Sequence, residues 1–192
     1  MTLDLGSWGY RHNIKIDDVI KIESLIEEVV VTVSCGGNIL INVGPTSDGI
    51  IPLIFEERLR QLGQWLNING EAIYSTSTWK IQTDPLIANI TWYTMKNNSQ
   101  MSTVDVYVIL LKPPSQLVDK AKKLKLQPNI NCGIILNVSM LGVIDSNGQI
   151  MKKSLNWTCN SIDSTLDIDF ANFPFNSLAS SWAWVLDIQY KL

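Results

Sequence analysis

The stretch Ser34 to Pro52 reads Ser-Cys-Gly-Gly-Asn-Ile-Leu-Ile-Asn-Val-Gly-Pro-Thr-Ser-Asp-Gly-Ile-Ile-Pro, and the rest of the chain is arranged about it. The pair Gly36-Gly37 ends a helix, since glycine supplies the left-handed backbone that a helix C-terminus favours. Asn38 to Val43 follows as a six-residue run with apolar side chains at 39, 40, 41 and 43. Gly44-Pro45 stops this run, Asp48-Gly49 turns the chain, and Pro52 suits the first turn of a new helix. Helix, strand, loop and helix without long linkers are the pattern of an α/β unit whose strand is buried on both faces.

Upstream, residues 1–13 read as a loop, with two glycines and with Trp8 and Tyr10 beside Arg11. Positions 22, 25, 26, 29, 30 and 33 then form an apolar stripe of helical period, with Ser24-x-x-Glu27 as a capping box. Downstream, Phe55, Leu59, Leu62 and Leu66 stack on one face of a second helix with Trp65 at its border, and Asn69-Gly70 ends it. From Trp79 the period becomes two. Strands are expected at 90–96, 104–111, 123–127, 134–140, 154–158, 166–170 and 182–190, the spacing of a β-sandwich. The fold class is therefore α+β, with residues 1–76 and 77–192 as separate domains. With the edges of the 38–43 run unpaired, residues 1–76 are expected to be unstable or to self-associate in isolation, and the β half to fold alone.

Bulk composition excludes several function classes. Of 192 residues, 46% are hydrophobic and 17% charged, enough for a packed core. A net charge of −3 argues against a nucleic-acid partner. No apolar run reaches the roughly 18 to 20 residues of a membrane span. A single histidine, and cysteine spacings that fit no zinc motif, give no support to a metal or a cofactor. Four Asn-x-Ser/Thr sequons, at Asn89, Asn97, Asn137 and Asn156, lean toward lumenal traffic. Met1-Thr2-Leu3-Asp4 has no basic start and no apolar core of a signal peptide, so more chain is expected upstream. Cys132 and Cys159 share one half and can pair in an oxidising compartment, which leaves Cys35 buried and free.

The first 80 residues resemble the α-L-fucosidases of glycoside hydrolase family 29. The resemblance is carried by Ser7-Trp8-Gly9-Tyr10-Arg11, by Gly36 to Pro45 with Asp48-Gly49, and by Trp65-Leu66 followed by Asn69 to Tyr74. Met140-Leu141-Gly142 and Trp182-Ala183-Trp184 extend it more loosely into the second half. It implies a TIM-like barrel followed by an all-β antiparallel sandwich, with the Ser34 to Pro52 stretch in the last unit of the barrel. It also implies retaining hydrolysis of terminal α-L-fucose, fucosylated glycans as partners, and a lysosomal or extracellular address, with homo-oligomers possible. Retention needs two carboxyl groups about 5 to 5.5 Å apart. The resemblance places the nucleophile, the acid/base glutamate and the histidine-rich pocket N-terminal to the residues here, so this chain alone is expected to be inactive. The alternative is a non-catalytic carbohydrate-binding or assembly sandwich.

No carboxylate of this chain is assigned as catalytic. Glu27-Glu28 and Glu56-Glu57 are sequential pairs that diverge around a helix, Asp48 belongs to a turn, and Glu71 fits a structural hydrogen bond. Two readings stand for Trp8, Tyr10 and Arg11: aromatics that stack on a sugar beside an arginine that donates to its hydroxyls, or wedges that hold a barrel loop. Asn38 and Asn42 share one face by period two, and either lines a sugar pocket or braces the strand.

Overall fold

The computed structural model describes residues 1–99 and 101–191. It has three layers: two helices, a six-stranded antiparallel sheet, and a three-stranded antiparallel sheet. The helices are α1 (Ile22–Ser34) and α2 (Leu53–Asn69), and α3 (Pro114–Leu117) is a single turn. The strands are β1 (Ser77–Thr83), β2 (Thr91–Asn98), β3 (Thr103–Leu110), β4 (Lys123–Leu126), β5 (Ile135–Ile144), β6 (Ile150–Ser154), β7 (Asn156–Asn160), β8 (Thr165–Asp169) and β9 (Trp184–Lys191). The large sheet runs β1-β2-β3-β9-β5-β6 and the small one β4-β8-β7.

The face of each side chain follows from strand alternation. On β3, Val104, Val106, Val108 and Leu110 point into the sandwich core, where they meet Leu124, Leu126, Leu166 and Ile168 of the small sheet. Tyr107 and Ile109 point the other way, with Leu141 and Val185, onto the helices. Both faces of the large sheet are thus covered. On α1 the stripe Ile22, Leu25, Ile26, Val29 and Val30 is buried, as its period requires. Trp65 of α2 is 1% exposed, and its Nε1 donates to the Ala183 carbonyl at 3.0 Å. Burying a side chain of this size stabilises by about 1.5 to 3 kcal/mol, so α2 is held mainly by the sheet beneath it.

Several expectations are corrected. Asn38 to Val43 is not a regular strand: only Asn42 bridges, in parallel with Thr2. Nor is it buried on both faces. Ile39, Ile41 and Val43 pack on the helices, whereas Asn38 and Leu40 are exposed, because no neighbour covers that side among the described residues. The opening residues are not purely loop, since the N–H of Leu3 donates to Asn42 and that of Asn42 to Met1. Ser24 lies inside α1, and Lys21 is the N-cap, without a side-chain cap bond. Gly36 does adopt the left-handed conformation (φ +77°) just past the helix. β1 went unpredicted, because only Trp79 and Ile81 mark its inner face. The expected strand 154–158 divides at Leu155, whose N–H crosses to Val138, so β6 and β7 belong to different sheets. Cys132 and Cys159 are joined, but Cys35 is exposed rather than buried.

Candidate functional site

Residues 1–3 and 40–42 run parallel with α1 as the crossover between them, the geometry of a βαβ unit. Two loops leave the C-terminal ends of these segments. The first is closed at its base by an antiparallel bridge between Asp4 and Val19, where the Leu5 N–H donates to Asp18 and the Ile20 N–H to Leu3. The second runs through Gly44 toward Pro52. They meet backbone to backbone: a Cβ on Gly44 would lie 2.6 Å from the Gly9 carbonyl carbon and 2.6 Å from the Tyr10 nitrogen. Only glycine at 44 permits this approach.

The first loop is organised by a carboxylate that sequence reasoning missed. Asp4 is 2% exposed and takes Arg11 in a two-pronged contact, Nε to Oδ2 at 2.8 Å and Nη2 to Oδ1 at 2.7 Å. The Gly6 N–H donates to the same Oδ1 at 2.8 Å. The Arg11 hydrogen bonds hold the Asp4 carboxyl below the usual carboxylate range, and Asp4 in turn raises Arg11. Asp18 Oδ2 lies 3.4 Å from Arg11 Nη2. With its guanidinium occupied in this way, Arg11 works as the loop's internal brace. Asn42 is similarly engaged: its Nδ2 donates to the Trp8 carbonyl at 2.8 Å and to Thr2 Oγ1 at 3.0 Å.

These braces leave two aromatic side chains free. Trp8 is 60% and Tyr10 46% exposed, both on the loop that Asp4 and Asn42 hold. Asn38 stands apart, at the N-terminal end of its run, four residues or about 13 Å from Asn42. The structure therefore brings together Trp8, Tyr10, Arg11 and Asn42 and leaves Asn38 out. A period-two pattern places both asparagines on one face, but only the parallel pairing tells which end of the run each occupies.

A second polar cluster lies at the seam between α2 and the large sheet. Lys152 Nζ is 2.8 Å from Glu71 Oε1 and 2.9 Å from Asp187 Oδ2, over the ring of Tyr107. Burial pushes the Asp187 carboxyl up against the opposing pull of Lys152. On Lys152 burial opposes the charge, yet its bonds to Glu71 and Asp187 outweigh this and raise it. Tyr107, beneath them, is raised by burial and then by Glu71, Asp187 and Asp105. Glu71 thus serves as a structural ion-pair partner. A lysine between two carboxylates offsets their mutual repulsion, which suits a clasp. Among the described residues no group of three or more His, Cys, Asp or Glu is placed to hold a metal ion.

A family model described as "Alpha-L-fucosidase" matches residues 1–71, and one described as "Alpha-L-fucosidase C-terminal domain" matches residues 82–189. The chain belongs to the α-L-fucosidase family. The plasma alpha-L-fucosidase of Rattus norvegicus is 42% identical over 186 residues, which are 97% of this chain and 36% of the rat protein. The tissue alpha-L-fucosidase of Homo sapiens is 35% identical over 187 residues, 97% of this chain and 35% of that one. The crystal structure of Thermotoga maritima alpha-fucosidase in complex with fucose aligns with a TM-score of 0.71 at 28% identity, covering 98% of this chain and 38% of that chain. The chain thus spans about 36% of the length of the curated relatives it matches. The two family models match consecutive stretches of this one polypeptide.

Proposed function

We propose that this chain forms the closing helix-strand-helix segment and the C-terminal sandwich of an α-L-fucosidase that removes terminal α-L-fucose from glycoconjugates with retention. The observation that carries the proposal is the parallel pairing of residues 1–3 with 40–42 across α1. In (β/α) barrels the active site is built from the loops at the C-terminal ends of the strands, and the Trp8–Tyr10 loop occupies that position. In this reading residues 1–76 belong to the barrel and 77–192 to the sandwich. Trp8 and Tyr10 offer aromatic faces to the sugar, while Arg11 and Asn42 set the shape of the loop and Asn38 lies outside the site.

Retention requires two carboxyl groups about 5 to 5.5 Å apart. At this face the buried carboxylate, Asp4, is committed to Arg11. The nucleophile and the acid/base are therefore assigned to other parts of the enzyme, and the isolated chain to an inactive state. Fucosylated glycans are the substrate, in a lysosomal or extracellular setting. That setting is supported by relatives named plasma fucosidases, by the Cys132–Cys159 bond and by the sequons.

The test is a chimera in which this chain replaces the matching segment of the rat plasma relative, assayed on an aryl α-L-fucoside. Turnover by the chimera and none by the isolated chain is expected, with Trp8→Ala in the chimera raising KM. A folded chimera without turnover overturns the proposal, as does turnover by the isolated chain that equals the chimera's.

A further inference from the structure

The sandwich has four edge strands: β1 and β6 close the large sheet, β4 and β7 the small one. An open edge offers unpaired N–H and C=O groups to any other chain, and lysine is a common block. Three of the four edges carry it: Lys80 in β1, Lys152 and Lys153 in β6, Lys123 and Lys125 in β4. β7 reads Asn156-Trp157-Thr158-Cys159-Asn160 and has no charged residue. Its backbone pairs with β8 on one side, and among the described residues it makes no backbone hydrogen bond along the other. An uncharged, proline-free strand with an aromatic and a β-branched residue is of the kind that adds a foreign partner.

In place of lysine, β7 holds a sequon. Asn156 and Thr158 are two residues apart on the exposed face, while Trp157 and Cys159 between and after them pack toward the core. A shallow cavity of about 150 Å³ opens beside Asn156, lined among others by Lys153, Asp169, Asn172 and Phe173. The same strand is stapled through Cys159 to Cys132, a bond that forms in the oxidising compartments where N-glycans are added. The sequon at Asn137 is placed differently. Asn137 lies on β5, between β9 and β6 and opposite Gln189, and its Ser139 is 2% exposed.

We propose that Asn156 carries an N-linked glycan that screens the β7 edge, as lysines screen the other three, and that Asn137 stays unmodified. This rests on the lysosomal or extracellular setting proposed above. The test expresses the full 192-residue chain behind a secretory leader in animal cells. Glycans are released enzymatically in heavy-oxygen water, and the labelled peptides are mapped by mass spectrometry. Label at Asn156 and none at Asn137 is expected. An unlabelled Asn156 overturns the proposal, whether or not another sequon is labelled; because the leader supplies the lumenal route, that result leaves the proposed setting standing. Label at Asn137 overturns the second clause. N156Q and N156K then separate screening from mere occupancy, since both lack the glycan. Light scattering is expected to rise several-fold faster for N156Q than for the parent chain, and to stay near the parent's rate for N156K. Equal rates for N156Q and the parent overturn the screening role.

Discussion

At the residue scale, the loop that carries Trp8 and Tyr10 is held by Asp4 and admitted by Gly44, and each makes a separate prediction. Asp4 has a folded-state pKa depressed by Arg11. Its stabilisation is therefore present above the ordinary carboxylate value of 3.8 and is lost as pH falls through the lowered value. Asp4→Asn removes the charge at every pH. Amide exchange across residues 5–12 is expected to speed up in the variant and to lose its acid dependence, with β3 unchanged; protection equal to the parent's would refute the brace. Gly44→Ala acts by volume, because its Cβ would stand 2.6 Å from the Gly9 and Tyr10 backbone. Overpacking of this kind costs about 1 to 3 kcal/mol. The urea midpoint should fall accordingly, with Trp8 emission altered.

At the element scale, Lys152 of β6 clasps Glu71, just past α2, to Asp187 of β9. Asp187 is buried, and its carboxyl is already raised. Lys152→Ala removes the cation that opposes this rise, leaving Glu71, Asp105 and Tyr107 around it. A raised carboxyl keeps in the folded state a proton that the unfolded chain releases above 3.8. The variant's deficit should therefore grow as pH rises above that value and be smallest in acid, where Asp187 is neutral. Urea midpoints of parent and variant at about pH 4 and about pH 7 decide this, and a deficit that is equal or larger at the lower pH contradicts it.

On the scale of the whole molecule, the helices and the sandwich share the large sheet. The sequence leads one to expect that the β half folds alone, but its outer face is the floor of the helical layer. Removing residues 1–76 would uncover Tyr107 (1% exposed), Ile109 (0%), Leu141 (3%) and Val185 (0%) together. A contiguous apolar face of this kind drives association. The fragment 77–192 is expected to bind a hydrophobic dye and to elute above monomer size in gel filtration. A dye-silent monomer would show that the sheet tolerates water on both faces.

Much was legible along the chain. The α1 stripe, the glycine stop at 36, the alternation of β3 and β9 and the family motifs are local patterns, set by helical or strand periods and by backbone sterics. The clustering of Trp8, Tyr10, Arg11 and Asn42 was half legible, since the residues stood out but Arg11's partner did not. Asp4 is seven residues away and meets Arg11 only when the loop closes. Glu71 and Asp187 are far apart in the chain and meet through Lys152 only because α2 packs on the large sheet at β5, which lies between β6 and β9. Likewise, nothing in Asn-Trp-Thr-Cys-Asn marks an edge: strand order makes it one. The sequence by itself determined the two long helices, most of the strands and the family, because periodicity and steric preference act between near neighbours. Tertiary structure alone decided which charges pair, which edge stays open and which end of a strand faces the site, because these depend on contacts between segments far apart in the chain.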